Sequence, residues 1–133
     1  MHGQEGHRAR ARAGHRICSD YEPPPFFGAT PAERRACAIL IENGVELTEV
    51  VVDGRRVRLG DAYRTTSPDR RATLPDDNLL DAPAGTRIRH RANGWIAFTQ
   101  PLSRGRHEIV LHGAGTFEGE PYDNVGRFHV DAR

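Results

Sequence analysis

The sequence predicts a mainly β fold: an antiparallel β-sandwich, immunoglobulin-like or jelly-roll-like, with one short helix near the N-terminus. Three observations lead to this prediction. Only residues 30–44 combine a helical period with helix end signals, whereas short β-rich runs recur from residue 46 onward. Turn residues separate these runs, and two of the turns contain Asp-Gly or Asn-Gly, which favour tight hairpins. Many short strands with a single helix are typical of sandwiches.

Length and composition fit one domain that follows a basic tail. The chain has 133 residues and a formal net charge of +1, and domains usually contain about 100–150 residues. Residues 1–16 are rich in Arg and His and lack large apolar side chains after Met1, so we predict a disordered tail. We expect residues 17–133 to form a single β-sandwich domain. No apolar run approaches the roughly 18 residues of a membrane span, and the near-neutral charge does not favour nucleic-acid binding.

The helix is predicted over residues 30–44, where a proline occupies the first helical position and a glycine favours the end. Thr30 is a suitable N-cap, and Glu33 completes a Thr-x-x-Glu capping box. The helical period places Cys37 and Leu40 on one side, with Cys37 toward the core or the preceding loop.

Strands are predicted from period-two patterns and the turn residues between them. The predicted strands are 46–52, 55–59 and, approximately, 70–74, 86–91, 94–100, 106–112 and 125–131. Asp53-Gly54 predicts one two-residue hairpin and Asn93-Gly94 a second. In RHEIVLH, alternation places His107, Ile109 and Leu111 on one face, and Glu108, Val110 and His112 on the other.

A candidate ligand site combines aromatic and polar residues near the predicted strand ends. Trp95 with Tyr63 and Arg64 would form a face on which a sugar ring stacks, and Asp77 and Asn78 belong to a polar segment, LPDDN. The alternatives are that Trp95 packs in the core and that LPDDN is only a turn, in which Asp and Asn accept backbone hydrogen bonds. Sandwiches carry function on end loops, here those at about 61–68, 75–81 and 113–124.

Histidines on the last two predicted strands are weak candidates for metal ligands. His112 and His129 would share a face if those strands pair, with Glu108 nearby, and His107 is the third candidate. The alternative is that His107 packs at a sheet edge while the other two face solvent. No HExxH pattern is present, and we predict neither a bound metal nor an organic cofactor.

The sequence contains few other signals for catalysis or for a particular cellular compartment. No serine lies in a GxSxG elbow and no glycine-rich phosphate loop is present. Cys18 and Cys37 either form one disulfide or stay reduced, and residues 1–16 contain no apolar signal-peptide core.

Seven short segments occur in this order: AERRACA (32–38), VVVDGRRV (50–57), YRTTSP (63–68), LPDDN (74–78), PAG (83–85), NGW (93–95) and PLSRGRHEIVLHG (101–113). Their order and spacing resemble an uncharacterised family of secreted bacterial β-sandwich proteins, over about residues 17–131. The resemblance implies secretion, a disulfide between Cys18 and Cys37, and a further N-terminal portion that this chain lacks. It implies no established activity.

These observations favour a non-enzymatic β-sandwich module, expected outside the cell, whose partner is a glycan or a protein. The support is the strand pattern, the near-neutral charge and the lack of a recognisable catalytic pattern. The alternative is a small metal-assisted hydrolase or isomerase that uses the strand histidines.

Overall fold

The computed structural model describes residues 17–133, and it contains one α-helix and eight named strands in that part of the chain. The elements are β1 (Ile17–Ser19), α1 (Pro31–Asn43), β2 (Val45–Val52), β3 (Arg55–Val57), β4 (Arg64–Thr66), β5 (Arg70–Thr73), β6 (Arg87–Trp95), β7 (Gly105–Phe117) and β8 (Glu120–Ala132). A short 3₁₀ turn, Asp61–Tyr63, precedes β4.

The strands form two antiparallel sheets of four. The first has the order β1-β6-β4, with β5 also paired to β6, and the second has the order β3-β2-β7-β8. The predicted fold class, mainly β with antiparallel sheets and one short helix near the N-terminus, is confirmed, and two such sheets are consistent with a β-sandwich. The immunoglobulin-like or jelly-roll-like type stays a prediction.

The described residues divide into two compact units, each made of two separate segments. The first unit contains residues 17–42 and Thr66–Gly94, and the second contains Asn43–Thr65 and Trp95–Arg133. The expectation of a single domain over residues 17–133 stays a prediction. The predicted tail at residues 1–16 lies outside the described residues.

The helix α1 begins where the capping box predicts. The Glu33 backbone N–H donates to Thr30 Oγ1 at 3.1 Å, and the Thr30 N–H donates to Glu33 Oε2 at 3.1 Å. The predicted inward side is partly wrong, because Leu40 is 73% exposed. The buried row is instead Arg34, Ala38 and Glu42, so charged side chains occupy positions that an apolar pattern cannot reveal.

A buried ion pair connects α1 to the segment that leads into β5. Arg34 is 1% exposed, and its guanidinium contacts both carboxylate oxygens of Asp69, at 2.7 and 3.0 Å. Its Nη1 also donates to the carbonyls of Gly28 and Ala29, each at 2.9 Å. Because the fork of Arg34 is satisfied on both sides, a charged residue is tolerated in this core.

A disulfide joins Cys18 in β1 to Cys37 in α1, with a Cα–Cα distance of 6.1 Å. Cys18 is fully buried, and Phe26, Ala38 and Ile88 are buried in the same unit. The bond therefore fixes the helix to the edge strand of the first sheet.

Two tight hairpins organise the second sheet. Asp53 and Gly54 have φ values of 50° and 78°, so the predicted type I′ hairpin between β2 and β3 is confirmed. Glu118 and Gly119, with φ values of 50° and 83°, form the equivalent turn between β7 and β8. These two strands extend through most of residues 113–124, so the prediction of an end loop there is wrong.

The second predicted hairpin, at Asn93-Gly94, is also wrong. Both residues lie inside β6, and neither has the positive φ that a type I′ turn needs. Asn93 is 6% exposed, and its Nδ2 donates to Thr66 Oγ1 at 2.7 Å. Asn93 therefore forms a hydrogen bond within the first unit instead of a turn. The strand ends at Trp95 and not at residue 100, where the sequence predicts its end.

The second sheet has one apolar face and one charged face. The β7–β8 register pairs Glu108 with His129 and Val110 with Arg127, which confirms the alternation predicted for RHEIVLH. On the charged face, Arg127 contacts Glu108 at 2.7 Å and Arg56 contacts Glu49 at 3.1 Å. Arg56 and Arg127 on this face therefore have carboxylate partners.

Candidate functional site

The second unit brings Tyr63, Arg64 and Trp95 together, and we name these three residues the aromatic–arginine cluster. The guanidinium carbon of Arg64 lies 5.7 Å from the centroid of the Trp95 ring, within the range of a cation–π contact. The Ile96 backbone N–H donates to the Tyr63 carbonyl at 2.9 Å. Arg64 and Trp95 are therefore in contact, whereas Tyr63 is joined to this region through its backbone; that the three residues form one ligand site stays a prediction.

Local backbone geometry positions the cluster. The Tyr63 N–H donates to the Gly60 carbonyl at 3.0 Å, which closes the 3₁₀ turn. Arg64 then adopts extended dihedrals, φ −82° and ψ 129°, and begins β4. Tyr63 is therefore the last residue of the 3₁₀ turn. Arg64 is the first residue of β4 and lies beside Trp95, the last residue of β6.

The cluster is accessible from solvent. Tyr63 is 46% exposed, and Ile96 and Phe98, which follow Trp95 in the chain, are 56% and 96% exposed. Trp95 itself is half-buried, so it is not the fully buried core residue that the alternative prediction described. A solvent-accessible aromatic residue beside a cation is suited to ligand binding.

Asp77 and Asn78 belong to the first unit, not to the unit that contains the cluster. The Asn78 amide nitrogen donates to the carbonyls of Pro75 and Ala82, at 2.9 and 2.8 Å. Its Oδ1 accepts the backbone N–H groups of Leu80 and Ala82, at 3.1 and 3.2 Å. Asn78 therefore holds its own turn together, as the turn interpretation of LPDDN predicts, while Asp77 is exposed.

His107 is held on both sides of its ring. Its Nδ1 lies 2.6 Å from Asp53 Oδ2, and its Nε2 lies 2.6 Å from the Ser103 carbonyl. The hydrogen bonds to Asp53 and then to Ser103 raise the pKa of His107 above its ordinary value of 6.5. Both nitrogens are thus occupied in fixing the loop before β7 to the β2–β3 turn, and neither is presented to a substrate or a metal.

The Asp53 side chain completes this contact, and sequence analysis recognised it only as a turn residue. Its Oδ1 accepts the Glu108 backbone N–H at 2.8 Å. The pKa of Asp53 is lowered, first by the hydrogen bond with His107 and then by that of the Glu108 N–H. The pairing could not be found from spacing, because it joins residues 54 positions apart.

The other two candidate ligands, His112 and His129, lie on the charged face of the second sheet but not around one point. His112 Nε2 contacts Asp123 Oδ1 at 2.9 Å, and His129 Nδ1 lies 4.0 Å from Glu108 Oε2. Glu108 and His112 are four residues apart on one strand, which separates their Cα atoms by roughly 13 Å. Within residues 17–133, no group of three or more His, Cys, Asp and Glu side chains is placed to hold a metal ion.

Comparison of the chain with protein families, curated proteins and solved structures finds no match. In residues 17–133, no helix combines the length and the apolar character needed to cross a membrane. The functional interpretation therefore depends on the geometry of the described residues.

Proposed function

We propose that this protein is a non-enzymatic binding module that recognises a glycan through the aromatic–arginine cluster. The observation that carries the proposal is the position of the Arg64 guanidinium 5.7 Å from the Trp95 ring. Tyr63, which precedes Arg64 in the chain and is 46% exposed, supports it as a second aromatic residue near this contact.

The chemistry of the cluster favours a sugar over a purely apolar ligand. The C–H groups of a pyranose face carry small positive charges, and the negative face of an indole or phenol ring attracts them. A guanidinium carries forked N–H donors, whose geometry suits the vicinal hydroxyl groups or a carboxylate of the same sugar.

The surroundings of the histidines support a binding role over catalysis. His107, the most constrained of them, has both ring nitrogens occupied, by Asp53 and Ser103. A general base must present a free nitrogen within about 3 Å of the proton that it removes. The contacts of His107 with Asp53 and Ser103 are therefore better suited to holding the loop before β7 in place than to proton transfer.

The disulfide supports the extracellular location that we propose. Cys18 is fully buried, and its partner Cys37 lies on the helix that packs over it. Disulfides persist mainly in oxidising compartments. A binding module exported to that environment would meet glycans on cell surfaces or in extracellular material.

The proposal is tested by measuring retention of the protein on immobilised polysaccharides, followed by titration calorimetry with soluble oligosaccharides. Removal of one aromatic anchor costs about 2 kcal/mol or more at a binding hot spot, so Trp95→Ala and Tyr63→Ala should each weaken binding at least tenfold. Tyr21→Ala is the matched control, because Tyr21 is 43% exposed but lies in the first unit.

Retention by wild type that survives in Tyr21→Ala and is lost in the cluster variants supports the proposal. Retention on no polysaccharide, or equal retention by all four proteins, overturns it. Capture of a protein partner through the same cluster, without glycan binding, also overturns the glycan assignment.

A further inference from the structure

A second surface, in the first unit, carries unbalanced positive charge. Residues of β5 and β6, together with Asp20, line an open groove of about 430 Å³, with Ala72 and Ile88 as its apolar lining. Its polar lining consists of Asp20, Arg71, Thr73, Arg87 and Arg89. We name this surface the arginine groove.

The strand register brings the cations together. Arg71 in β5 is paired directly with Arg89 in β6, and Thr73 is paired with Arg87. Directly opposite residues have Cβ atoms about 5 Å apart and point to the same side of the sheet. Three guanidinium groups and a hydroxyl therefore project from two adjacent strands into one groove.

The carboxylates nearby do not neutralise this charge. Arg89 contacts Asp69 at 3.3 Å, but Asp69 already receives the bidentate hydrogen bonds of Arg34. Asp20 contributes one negative charge to the groove, against the three arginines, and its Oδ1 also accepts the Arg89 backbone N–H at 2.9 Å. Among the described residues, neither Arg71 nor Arg87 forms an ion pair.

On the charged face of the second sheet, by contrast, two exposed arginines have carboxylate partners. There, Arg56 is paired with Glu49 and Arg127 with Glu108. Like charges directly opposite each other destabilise a sheet, so the facing pair Arg71 and Arg89 has a cost that an anion in the groove would offset.

We propose that the arginine groove binds an ester of a tetrahedral oxyanion, a phosphate or sulfate group attached to a sugar-sized molecule. Several guanidinium forks and a hydroxyl supply more donors than one carboxylate accepts, and a tetrahedral oxyanion presents three acceptor oxygens. The volume of about 430 Å³ lies in the range of small-molecule sites, so it accommodates more than a bare ion. This assignment does not depend on the aromatic–arginine cluster, which belongs to the other unit.

The test is titration calorimetry with four named probes: glucose 6-phosphate, glucose 6-sulfate, inorganic phosphate and citrate. We expect saturable binding of one or both sugar esters, tighter than binding of inorganic phosphate or citrate. Since each of these side chains supplies charged hydrogen-bond donors to the ester, Arg71→Ala and Arg87→Ala should each weaken ester binding about tenfold or more. Arg71→Lys, which keeps the charge but loses the fork, should give an intermediate loss.

Arg70→Ala is the matched control. Arg70 is the preceding residue of β5 and is exposed, but alternation directs it to the opposite face of the strand. Unchanged ester binding in Arg70→Ala, with loss in Arg71→Ala, supports the groove, and the relative affinity of the two esters identifies phosphate or sulfate.

Four results would overturn the inference. They are the absence of saturable binding at millimolar ester, equal losses in Arg70→Ala and Arg71→Ala, tighter binding of citrate than of either ester, and equal binding of inorganic phosphate and the esters. Because these substitutions lie at exposed positions of two paired strands, β5 and β6, circular dichroism and melting of each variant check that the sheet is intact.

Discussion

The guanidinium of Arg34 in α1 lies 2.7 Å from the carboxylate of Asp69, the residue that precedes β5. These residues are 35 positions apart in the chain, and Arg34 also donates to the carbonyls at Gly28 and Ala29. One side chain therefore joins the helix, the loop before it and the strand that begins the arginine groove. The position of one groove cation, Arg89, depends on this contact, because Asp69 also contacts Arg89.

Replacement of Asp69 by Asn should destabilise the protein markedly. Arg34 is 1% exposed, so the substitution leaves a buried cation without its counter-charge, which costs about 3 kcal/mol of unfolding free energy. Urea denaturation at pH 7 measures this loss. Asp77→Asn, at an exposed turn position, is the control and should change stability little.

The Asp69 carboxylate also predicts acid sensitivity. Its pKa is lowered below 3.8, mainly by the hydrogen bond from Arg34. A lowered carboxyl pKa contributes stability above the unfolded value and loses it as pH falls through the folded value. Wild type should therefore keep its advantage over Asp69→Asn at neutral pH and begin to lose it as pH falls below about 4, and equal stability of the two proteins at pH 7 would contradict the ion pair.

The contact of His107 with Asp53 predicts a window of pH-dependent stability. The pKa of His107 is raised from 6.5, so its contribution is complete below that value and is lost as pH rises through the folded pKa. The pKa of Asp53 is lowered from 3.8, so its contribution is complete above that value and is lost in stronger acid. The stabilisation by the Asp53–His107 contact should therefore be largest between pH 3.8 and pH 6.5, the ordinary pKa values of the two groups.

Asp53→Asn isolates this effect, because asparagine tolerates the positive φ of the type I′ turn. Melting temperatures of wild type and variant, measured from pH 3 to pH 9, should differ most within the window and converge above it. NMR titration should also show the His107 pKa falling in the variant. A difference in melting temperature that is constant from pH 4 to pH 9 would argue against the ion pair.

The disulfide should contribute a large share of the stability. The cysteines are separated by 19 residues, and closing a loop of this size restricts the unfolded chain by about 3 kcal/mol. Reductant should lower the midpoint of chemical denaturation of wild type, and should have no effect on a Cys18→Ala, Cys37→Ala double variant. Two titratable thiols in unreduced wild type would show that the bond is not formed.

Gly28 is predicted to tolerate no side chain. A Cβ at this position would lie 2.5 Å from the backbone nitrogen of Arg34 and 2.8 Å from its Cα. Neither atom moves without displacing the helix, so Gly28→Ala should cost about 2 kcal/mol. The control is Gly60→Ala, because Gly60 has extended dihedrals, φ −80° and ψ −173°, and no neighbour within 4 Å of a Cβ. Equal stability of the two variants would contradict the packing of Gly28 against α1.

Local signals were sufficient to predict the helix and one hairpin. The capping box at Thr30 and Glu33, and the turn at Asp53-Gly54, need only neighbouring residues to form, so their signatures are visible in the sequence. The same Asx-Gly signature failed at residues 93–94, because Asn93 donates to Thr66 from within a strand. The turn at Glu118-Gly119 was missed, since glutamate is not a typical type I′ residue.

The aromatic–arginine cluster and the arginine groove also differ in how far the sequence predicts them. The adjacent Tyr63 and Arg64, with the single Trp95, were suggested by residue type alone. The arginine groove was not, because it depends on the register that places Arg71 opposite Arg89. The Asp53–His107 and Arg34–Asp69 contacts were also missed, because they join distant segments and no local pattern records them.

Trp95 is the one tryptophan of the chain, so its intrinsic fluorescence reports on the proposed glycan site directly. The measurement is a titration of wild type with soluble oligosaccharides that are first shown to be retained, monitored by tryptophan emission. We expect a saturable shift of the emission with one ligand per chain, weakened at least tenfold in Tyr63→Ala, as expected for loss of a binding anchor. Saturable oligosaccharide binding that leaves the Trp95 emission unchanged would contradict a site at the aromatic–arginine cluster.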